Sequence, residues 1–150
     1  MPELPEIEVL KISLRNLVIG SKIEKVKVNN KNLRFKLPNK FEKKLENNII
    51  INISRRSKYI IFNLNNNDNL IMHLGMSGIL FLVRNSDKKK IKTSFYYDLN
   101  ILPKHNHVII NLNNGYSLVY NDIRRFGFFK IFNKHDIKNN LLISKLGPEP

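Results

Sequence analysis

Apolar residues recur along this chain at two different spacings, helical at the start and alternating afterwards. Ile7, Leu10, Leu14 and Leu17 recur every three or four residues, which predicts a helix over residues 6–18 that ends at Gly20. After that glycine, short apolar runs separated by Asn-rich segments indicate β-strands. The predicted strands lie around Ile23, Val26 and Val28, around Leu33 and Phe35, and at Ile49–Ile53, Tyr59–Leu64, Leu70–Leu74, Gly78–Val83, His107–Leu112, Tyr116–Tyr120 and Phe128–Phe132.

Turn signals and polar segments complete the predicted topology. Asn65–Asp68 and Asn113–Gly115 favour hairpins, because Asn, Asp and Gly tolerate the backbone angles of tight turns. A helical turn is predicted at residues 39–46 and a closing helix at residues 134–143. The lysine-rich segment 84–92 is predicted to form a mobile loop. We therefore expect one α+β, mainly β domain over residues 1–150. Its expected fold is a two-sheet antiparallel β-sandwich flanked by an N-terminal helix and a shorter C-terminal helix.

The charge balance points to a polyanionic partner. The formal net charge is +14, which favours nucleic acid. Lysine enrichment also accompanies the drift of an AT-rich genome, so the pairs Arg55–Arg56 and Arg124–Arg125 are more informative than the lysines.

Cysteine content and hydropathy narrow the class of protein. The chain has no cysteine, which excludes disulfides and cysteine-ligated zinc within it. The acidic amino terminus predicts no secretion signal, and no apolar run approaches the ~20 residues of a membrane span. The absence of cysteine is compatible with a reducing cytosol. We expect a cytoplasmic, monomeric protein with no membrane partner.

The amino terminus carries candidate chemistry. If Met1 is removed, Pro2 presents a free secondary amine, which can attack carbon and form a Schiff base, and Glu3 places a carboxylate beside it. Pro5, together with acids such as Glu6, is equally typical of an ordinary helix start. For Glu6, a role near the active site and a helix-start role remain open.

Four segments, followed by a fifth at the end of the chain, identify a family resemblance. They are Pro2–Glu6, Arg55–Tyr59, His73–Gly78, Asn121–Gly127 and Leu146–Pro150. In this order and spacing they resemble the amino-terminal catalytic domain of bacterial formamidopyrimidine-DNA glycosylase, an 8-oxoguanine DNA glycosylase and AP lyase. The resemblance implies base-excision repair of damaged double-stranded DNA.

Two features distinguish this family from its sister branch, endonuclease VIII, which acts on oxidised pyrimidines. That branch usually has glycine where this chain has Leu4, and it lacks the segment Gly75–Gly78. The resemblance therefore implies removal of oxidised purines, namely 8-oxoguanine and formamidopyrimidines, with an activity of the endonuclease VIII type as an alternative.

The resemblance implies three catalytic residues. Pro2 would be the nucleophile that forms the Schiff base with the sugar, and Glu3 would shuttle the proton as the sugar ring opens. Lys58 would lie beside the nucleophile and contact phosphate or the lesion. Strand cleavage would follow by β,δ-elimination, which needs no metal at the active centre.

The resemblance also implies the residues that hold DNA. Met76, Arg124 and Phe126 would fill the gap left by the everted nucleotide, with Arg124 facing the orphaned cytosine. Arg125 would contact phosphate or support the loop, and His105 would contact a DNA phosphate.

The chain departs from the family at Asn106, usually aspartate, and at Ile123, usually proline. The loss of that proline predicts a freer loop around Arg124. His105 and His107 share a strand face, but no further ligands accompany them, so we expect no metal site.

The resemblance also implies what this chain lacks: members of the family carry a helix–two-turn–helix module and a finger that binds one zinc ion in their second half, and both are absent from residues 1–150. We therefore expect no cofactor in this chain. A catalytically inactive DNA-binding remnant is the second alternative.

Overall fold

Nine β-strands form two antiparallel sheets within the residues that the computed structural model describes, 15–56, 59–75, 77–91 and 102–133. Helix α1 is described at residues 15–18. The other elements are β1 (Ile23–Val28), α2 (Phe41–Leu45), β2 (Ile50–Arg56), β3 (Tyr59–Leu64), β4 (Asp68–His73), β5 (Gly78–Arg84), β6 (Lys89–Ile91), a 3₁₀ turn (Pro103–His105), β7 (Asn106–Leu112), β8 (Tyr116–Asp122) and β9 (Phe128–Asn133).

The strand order separates the two sheets clearly. The first sheet runs β1-β7-β8-β5-β6 and the second runs β2-β3-β4-β9. Both predicted hairpins are confirmed: Asn67 supplies a φ of 71° between β3 and β4, and Gly115 supplies a φ of 88° between β7 and β8. The predicted two-sheet, mainly β architecture is confirmed.

The core lies between the sheets, where alternate strand residues face each other. The second sheet contributes Phe62 and Phe129, each 1% exposed, and the first contributes Leu82 and Tyr120. A smaller apolar cluster, centred on the fully buried Ile71, lies apart from that core. Residues 60–62 and 70–72 are all buried, and they divide between the two clusters.

The predicted helical turn over residues 39–46 is confirmed as α2. Its apolar residues Phe41 and Leu45 are buried, and the Phe41 ring meets the Phe129 ring edge-on at 5.6 Å between centroids. The Glu46 carboxylate accepts a hydrogen bond from the Val26 amide at 3.0 Å, which ties this turn to β1.

The predicted strand around Leu33 and Phe35 is wrong. Residues 33–35 form bends, and the residues on either side, Asn32 and Lys36, are joined by an isolated β-bridge. The Asn30 side chain accepts a hydrogen bond from the Asn32 amide at 2.8 Å, and such a local bond competes with strand pairing.

Two predicted helical segments lie wholly or partly outside the described residues. Residues 15–18 are helical, as predicted, whereas residues 6–14 and the closing helix at 134–143 are not described. None of the helices that the structure describes is long and apolar enough to span a membrane.

The predicted mobile loop at 84–92 is wrong for its described part. Residues 89–91 form β6, which pairs with the end of β5, and a tight turn joins the two strands. The Arg84 guanidinium donates two hydrogen bonds to Asp87, at 3.1 and 2.7 Å. The lysines in this segment are compatible with an edge strand, where exposed charge also discourages edge-to-edge association.

Removal of the Asp87 carboxylate is expected to have a pH-dependent effect on stability. Hydrogen bonds from Arg84 and then from the Lys89 amide lower the pKa of Asp87 to about 2, from an ordinary 3.8. The ionised Asp87 carboxylate therefore stabilises the folded protein fully above about pH 4, and this stabilisation is lost as the pH falls towards 2. Denaturant unfolding of Asp87→Asn and wild type should show a small difference at about pH 6 that vanishes near pH 2. A difference that persists at the lower pH would contradict this role.

Candidate nucleic-acid interface

Two connections between the sheets lie side by side at one end of the sandwich. The first crossover joins β4 to β5 and includes Leu74, Gly75 and Ser77 among the described residues. The second crossover, residues 123–127, joins β8 back to β9. The strands on either side are paired, His73 with Phe128 in one sheet and Gly78 with Asp122 in the other. The strand register therefore places the two crossovers against each other.

The crossovers pack backbone to backbone through glycine. A Cβ on Gly75, whose φ is +71°, would lie 2.6 Å from the Gly127 amide nitrogen and 2.6 Å from the Phe126 carbonyl carbon. A Cβ on Gly127 would lie 2.2 Å from the Tyr120 hydroxyl and 2.6 Å from the His73 carbonyl oxygen. Side chains are excluded at both positions, so the two backbones approach more closely than other residues allow.

A buried carboxylate organises the second crossover. Asp122 is 0% exposed, and its Oδ2 accepts hydrogen bonds from the Tyr120 hydroxyl and from the Gly127 amide, the latter at 3.0 Å. Its Oδ1 accepts from the Ser77 hydroxyl and from the Arg124 amide, the latter at 3.2 Å. Burial and then the hydrogen bond to Asp122 raise the pKa of Tyr120 well above its usual range, so this hydroxyl remains a donor.

The second crossover presents a cation and an aromatic ring on its outer side. Residues 123–126 are exposed, with Phe126 at 44% and Ile123 at 61%. The Arg124 guanidinium carbon lies 5.6 Å from the centroid of the Phe126 ring, within cation–π range. Arg125 has a φ of 58°, which is uncommon for a residue with a long side chain.

The crossover is anchored although Ile123 stands where the family usually has proline. The Arg124 amide has two acceptors, the Ser77 hydroxyl at 3.1 Å and the Asp122 carboxylate. The expectation of a freer loop is therefore opposed by hydrogen bonds from neighbouring residues.

Aromatic rings pack beneath the first crossover. His73 is buried and stacks on Phe128 with ring centroids 5.3 Å apart and an interplanar angle of 10°, and it also contacts Tyr59. The His73 Nδ1 accepts a hydrogen bond from the Gly75 amide at 3.1 Å, so its proton is on Nε2 in the neutral form. Burial raises the pKa of Tyr59, and the charge of Arg34 partly opposes that shift.

A second cationic and aromatic cluster lies next to these rings. The exposed Phe35 ring meets Phe128 edge-on at 5.1 Å, and the Lys130 ammonium lies 4.8 Å from the Phe35 centroid. The Arg34 guanidinium lies 5.5 Å from the same centroid, and the Arg34 amide donates to the Gly127 carbonyl at 3.4 Å. Positive charge is thus concentrated beside the second crossover.

His105 lies at the end of the 3₁₀ turn, half-buried. The Asn121 side-chain amide holds this turn, because it donates to the Leu102 carbonyl at 3.0 Å and to the Asn106 Oδ1 at 2.7 Å. Asn106 therefore acts as a neutral acceptor where the family usually has aspartate.

His107 differs from His105 in its burial and in its hydrogen bonding. It is buried, and its Nε2 donates to the Asp122 carbonyl at 2.6 Å, since a carbonyl can only accept. No group of three His, Cys, Asp or Glu side chains suited to a metal occurs in the described parts of the chain.

The structure brings together part of the predicted site. Arg124, Arg125 and Phe126 lie on the second crossover. The His105 ring meets the His107 ring edge-on at 6.4 Å between centroids, and His107 in turn bonds the carbonyl of Asp122, directly before that crossover. Pro2, Glu3, Glu6, Lys58 and Met76 lie outside the described residues.

Sequence reasoning assigned no role to Asp122 or Ser77. The signal was present in the motif itself, because Asp122 is an acid at the end of the otherwise uncharged strand β8. A carboxylate there must have partners if it is buried.

Comparisons with known proteins agree with this architecture. The sequence profile described as formamidopyrimidine-DNA glycosylase N-terminal domain matches residues 1–129. The formamidopyrimidine-DNA glycosylase of Rickettsia bellii is 41% identical over 150 residues, which cover 100% of this chain and 50% of that protein. The protein of the same name from Methylorubrum extorquens is 37% identical over 152 residues, covering 100% of this chain and 50% of its own length.

Solved structures give the same result. The Lactococcus lactis formamidopyrimidine-DNA glycosylase bound non-covalently to DNA with an AP site superposes with a TM-score of 0.79 at 29% identity, over 99% of this chain and 52% of that one. Another complex of the Lactococcus lactis enzyme with abasic-site DNA gives a TM-score of 0.77 at 26% identity, over 96% of this chain and 49% of that one. The chain thus spans about half the length of the relatives that it matches. By this family match and these identities, the chain belongs to the formamidopyrimidine-DNA glycosylase family.

Proposed function

We propose that this chain carries the catalytic amino-terminal half of a base-excision repair enzyme. It would remove oxidised purines, 8-oxoguanine and formamidopyrimidines, from duplex DNA and then cleave the abasic site. Family membership supports the activity. The proposed binding to DNA rests mainly on one observation. The second crossover, which is held by hydrogen bonds, presents Arg124 and Phe126 together on the surface.

The proposed chemistry uses groups of the chain itself. The Pro2 amine attacks the sugar carbon that bears the damaged base, the base departs with the electron pair of the broken bond, and the amine loses its proton. The iminium forms when the bond from this carbon to the ring oxygen then breaks. Glu3 protonates the ring oxygen as the sugar opens, and its carboxylate stabilises the cation. Lys58 holds the neighbouring phosphate. The iminium acidifies the adjacent carbon, so β- and then δ-elimination release the two phosphates. The roles of these three residues rest on the family resemblance.

DNA distortion is the proposed task of the crossovers. Taking a base out of the stack costs a few kcal/mol, and a side chain inserted in its place offsets part of that cost. Phe126 is exposed and paired with a cation, which suits insertion between bases. Arg124 can read the edge of the orphaned base with its fork of donors. Met76 would insert beside them, and His105 and Arg125 would contact phosphates.

The proposed setting follows from the substrate and from the relatives. The relatives are bacterial, and chromosomal DNA in bacteria lies in the cytoplasm, where we propose that this chain acts as a monomer. We propose no resident cofactor at this centre, because an amine, a carboxylate and a lysine supply every group that the elimination needs.

A second candidate function is that of an inactive DNA-binding remnant. The observation that favours it is the formal net charge of +14. Such a protein would bind through phosphate contacts, which depend strongly on salt and carry no preference for a lesion.

The affinities of the protein for damaged and undamaged DNA distinguish the two candidate functions. Fluorescence anisotropy with a duplex that holds one abasic-site analogue, and with its undamaged counterpart, should show preference for the damaged duplex between about 50 and 200 mM salt. Arg124→Ala and Phe126→Ala should each reduce that preference by about tenfold, since a base contact contributes about 1–3 kcal/mol.

The matched control is Lys89→Ala. Lys89 is exposed and lies on β6, which pairs with the end of β5 farther from the crossovers. Its replacement should weaken binding to both duplexes equally. Equal, strongly salt-dependent affinity of wild type for both duplexes would favour the remnant.

A further inference from the structure

The Ser77 hydroxyl connects the two crossovers directly. It donates a hydrogen bond to Asp122 Oδ1 and accepts one from the Arg124 amide at 3.1 Å. A hydroxyl has one donor and two acceptor sites, so it can make both contacts at once. Ser77 belongs to the first crossover. Arg124 belongs to the second, and Asp122 is the last residue of β8, directly before it.

Asp122 extends this connection to the far end of the second crossover. Its other oxygen accepts from the Gly127 amide at 3.0 Å, and its backbone carbonyl accepts from His107 at 2.6 Å. One carboxylate thus fixes the segment on both sides of Phe126. Since Asp122 is 0% exposed, loss of a partner would leave this buried polar group with fewer hydrogen bonds to compensate for its burial.

We propose that Ser77 and Asp122 form a polar latch that fixes the two crossovers as one unit, so that Arg124 and Phe126 meet DNA already in position. The latch is a property of the free protein, whereas its use in lesion binding rests on the proposed function. Ser77 and Asp122 are positioning residues: they act on DNA through the backbone that they hold.

Amide hydrogen exchange in the free protein tests the latch without DNA. In Ser77→Ala, exchange at the Arg124 amide should accelerate by about tenfold, because the substitution in one crossover removes an acceptor from the other. Ser77→Thr keeps a hydroxyl and should restore slow exchange. In Asp122→Asn, the Arg124 and Gly127 amides should both accelerate.

Two substitutions at the turn before β6 serve as controls. Ser86→Ala removes an exposed hydroxyl, and Asp87→Asn removes an exposed carboxylate. Neither should alter exchange at Arg124 or Gly127. Unchanged exchange at the Arg124 amide in folded Ser77→Ala would overturn the latch, and this readout remains available if Asp122→Asn does not fold.

A second experiment tests the use of the latch in lesion binding. The full chain without Met1 is mixed with a duplex that holds one abasic site, and the Schiff base is trapped with borohydride. The trapping rate should fall about tenfold in Ser77→Ala and recover in Ser77→Thr. Equal trapping rates in wild type and Ser77→Ala would overturn the positioning role. If wild type forms no trapped species, the proposed function fails, and hydrogen exchange alone decides whether the latch exists.

Discussion

Replacement of Gly127 with alanine is expected to lower the free energy of unfolding by about 3 kcal/mol. The new Cβ would lie 2.2 Å from the Tyr120 hydroxyl and 2.6 Å from the His73 carbonyl oxygen. Tyr120 cannot move away easily, because it is 1% exposed and donates to Asp122. The backbone carbonyl of His73 belongs to β4, which is paired with β9. The second crossover must therefore shift away from the first.

Gly115→Ala is the matched control for that substitution. Gly115 has a φ of +88° and open space around its Cβ position, whereas Gly127 has no positive φ and close contacts. Alanine at 115 should cost only the backbone strain, about 1 kcal/mol. Urea unfolding followed by far-UV circular dichroism compares the two variants. A Gly127→Ala protein as stable as Gly115→Ala would contradict the close packing of the crossovers.

Strands and hairpins are the features that the sequence predicts best, because their signals are local. The apolar run Tyr59–Leu64 coincides with β3, and Asn113–Gly115 forms the β7–β8 turn. The segment 39–46 likewise contains helix α2. In each case a few neighbouring residues contain the information that determines the structure.

Sequence patterns failed where tertiary contacts determine local structure. Leu33 and Phe35 alternate like strand residues, but residues 33–35 form bends, with the Phe35 ring against Phe128 in a different element. Residues 89 and 90 are lysines, yet with Ile91 they form β6 because β5 offers them a paired edge. Neither outcome follows from the residues of the segment itself.

The sequence predicts the residues of the candidate site as separate motifs, but it does not predict the hydrogen bonds that connect them. The Arg124–Phe126 motif identified the exposed loop, and the structure places both side chains within cation–π range. Asp122 and Ser77 were missed because their contact depends on the registers of β4 with β9 and of β5 with β8. Register between distant strands is a property of the whole sandwich and cannot be read from either segment alone.

The largest effect on activity is expected from Pro2→Gly. With Met1 removed, the Pro2 nitrogen is a secondary amine, and an α-amino group with a pKa of about 7.7–8.0 is partly neutral at physiological pH. A neutral secondary amine forms the iminium directly. Glycine leaves a primary amine, whose imine must be protonated before it matches the charged iminium, so we expect the covalent intermediate to be lost or much reduced. Intact mass spectrometry verifies beforehand that Met1 has been removed from both proteins.

Borohydride trapping on a duplex with one abasic site is the most direct test of the proposed chemistry. The mechanism predicts a covalent protein–DNA species for the Met1-trimmed wild-type chain and its loss or strong reduction in Pro2→Gly. Absence of that species from a folded, trimmed chain that binds the same duplex would contradict catalysis by this chain.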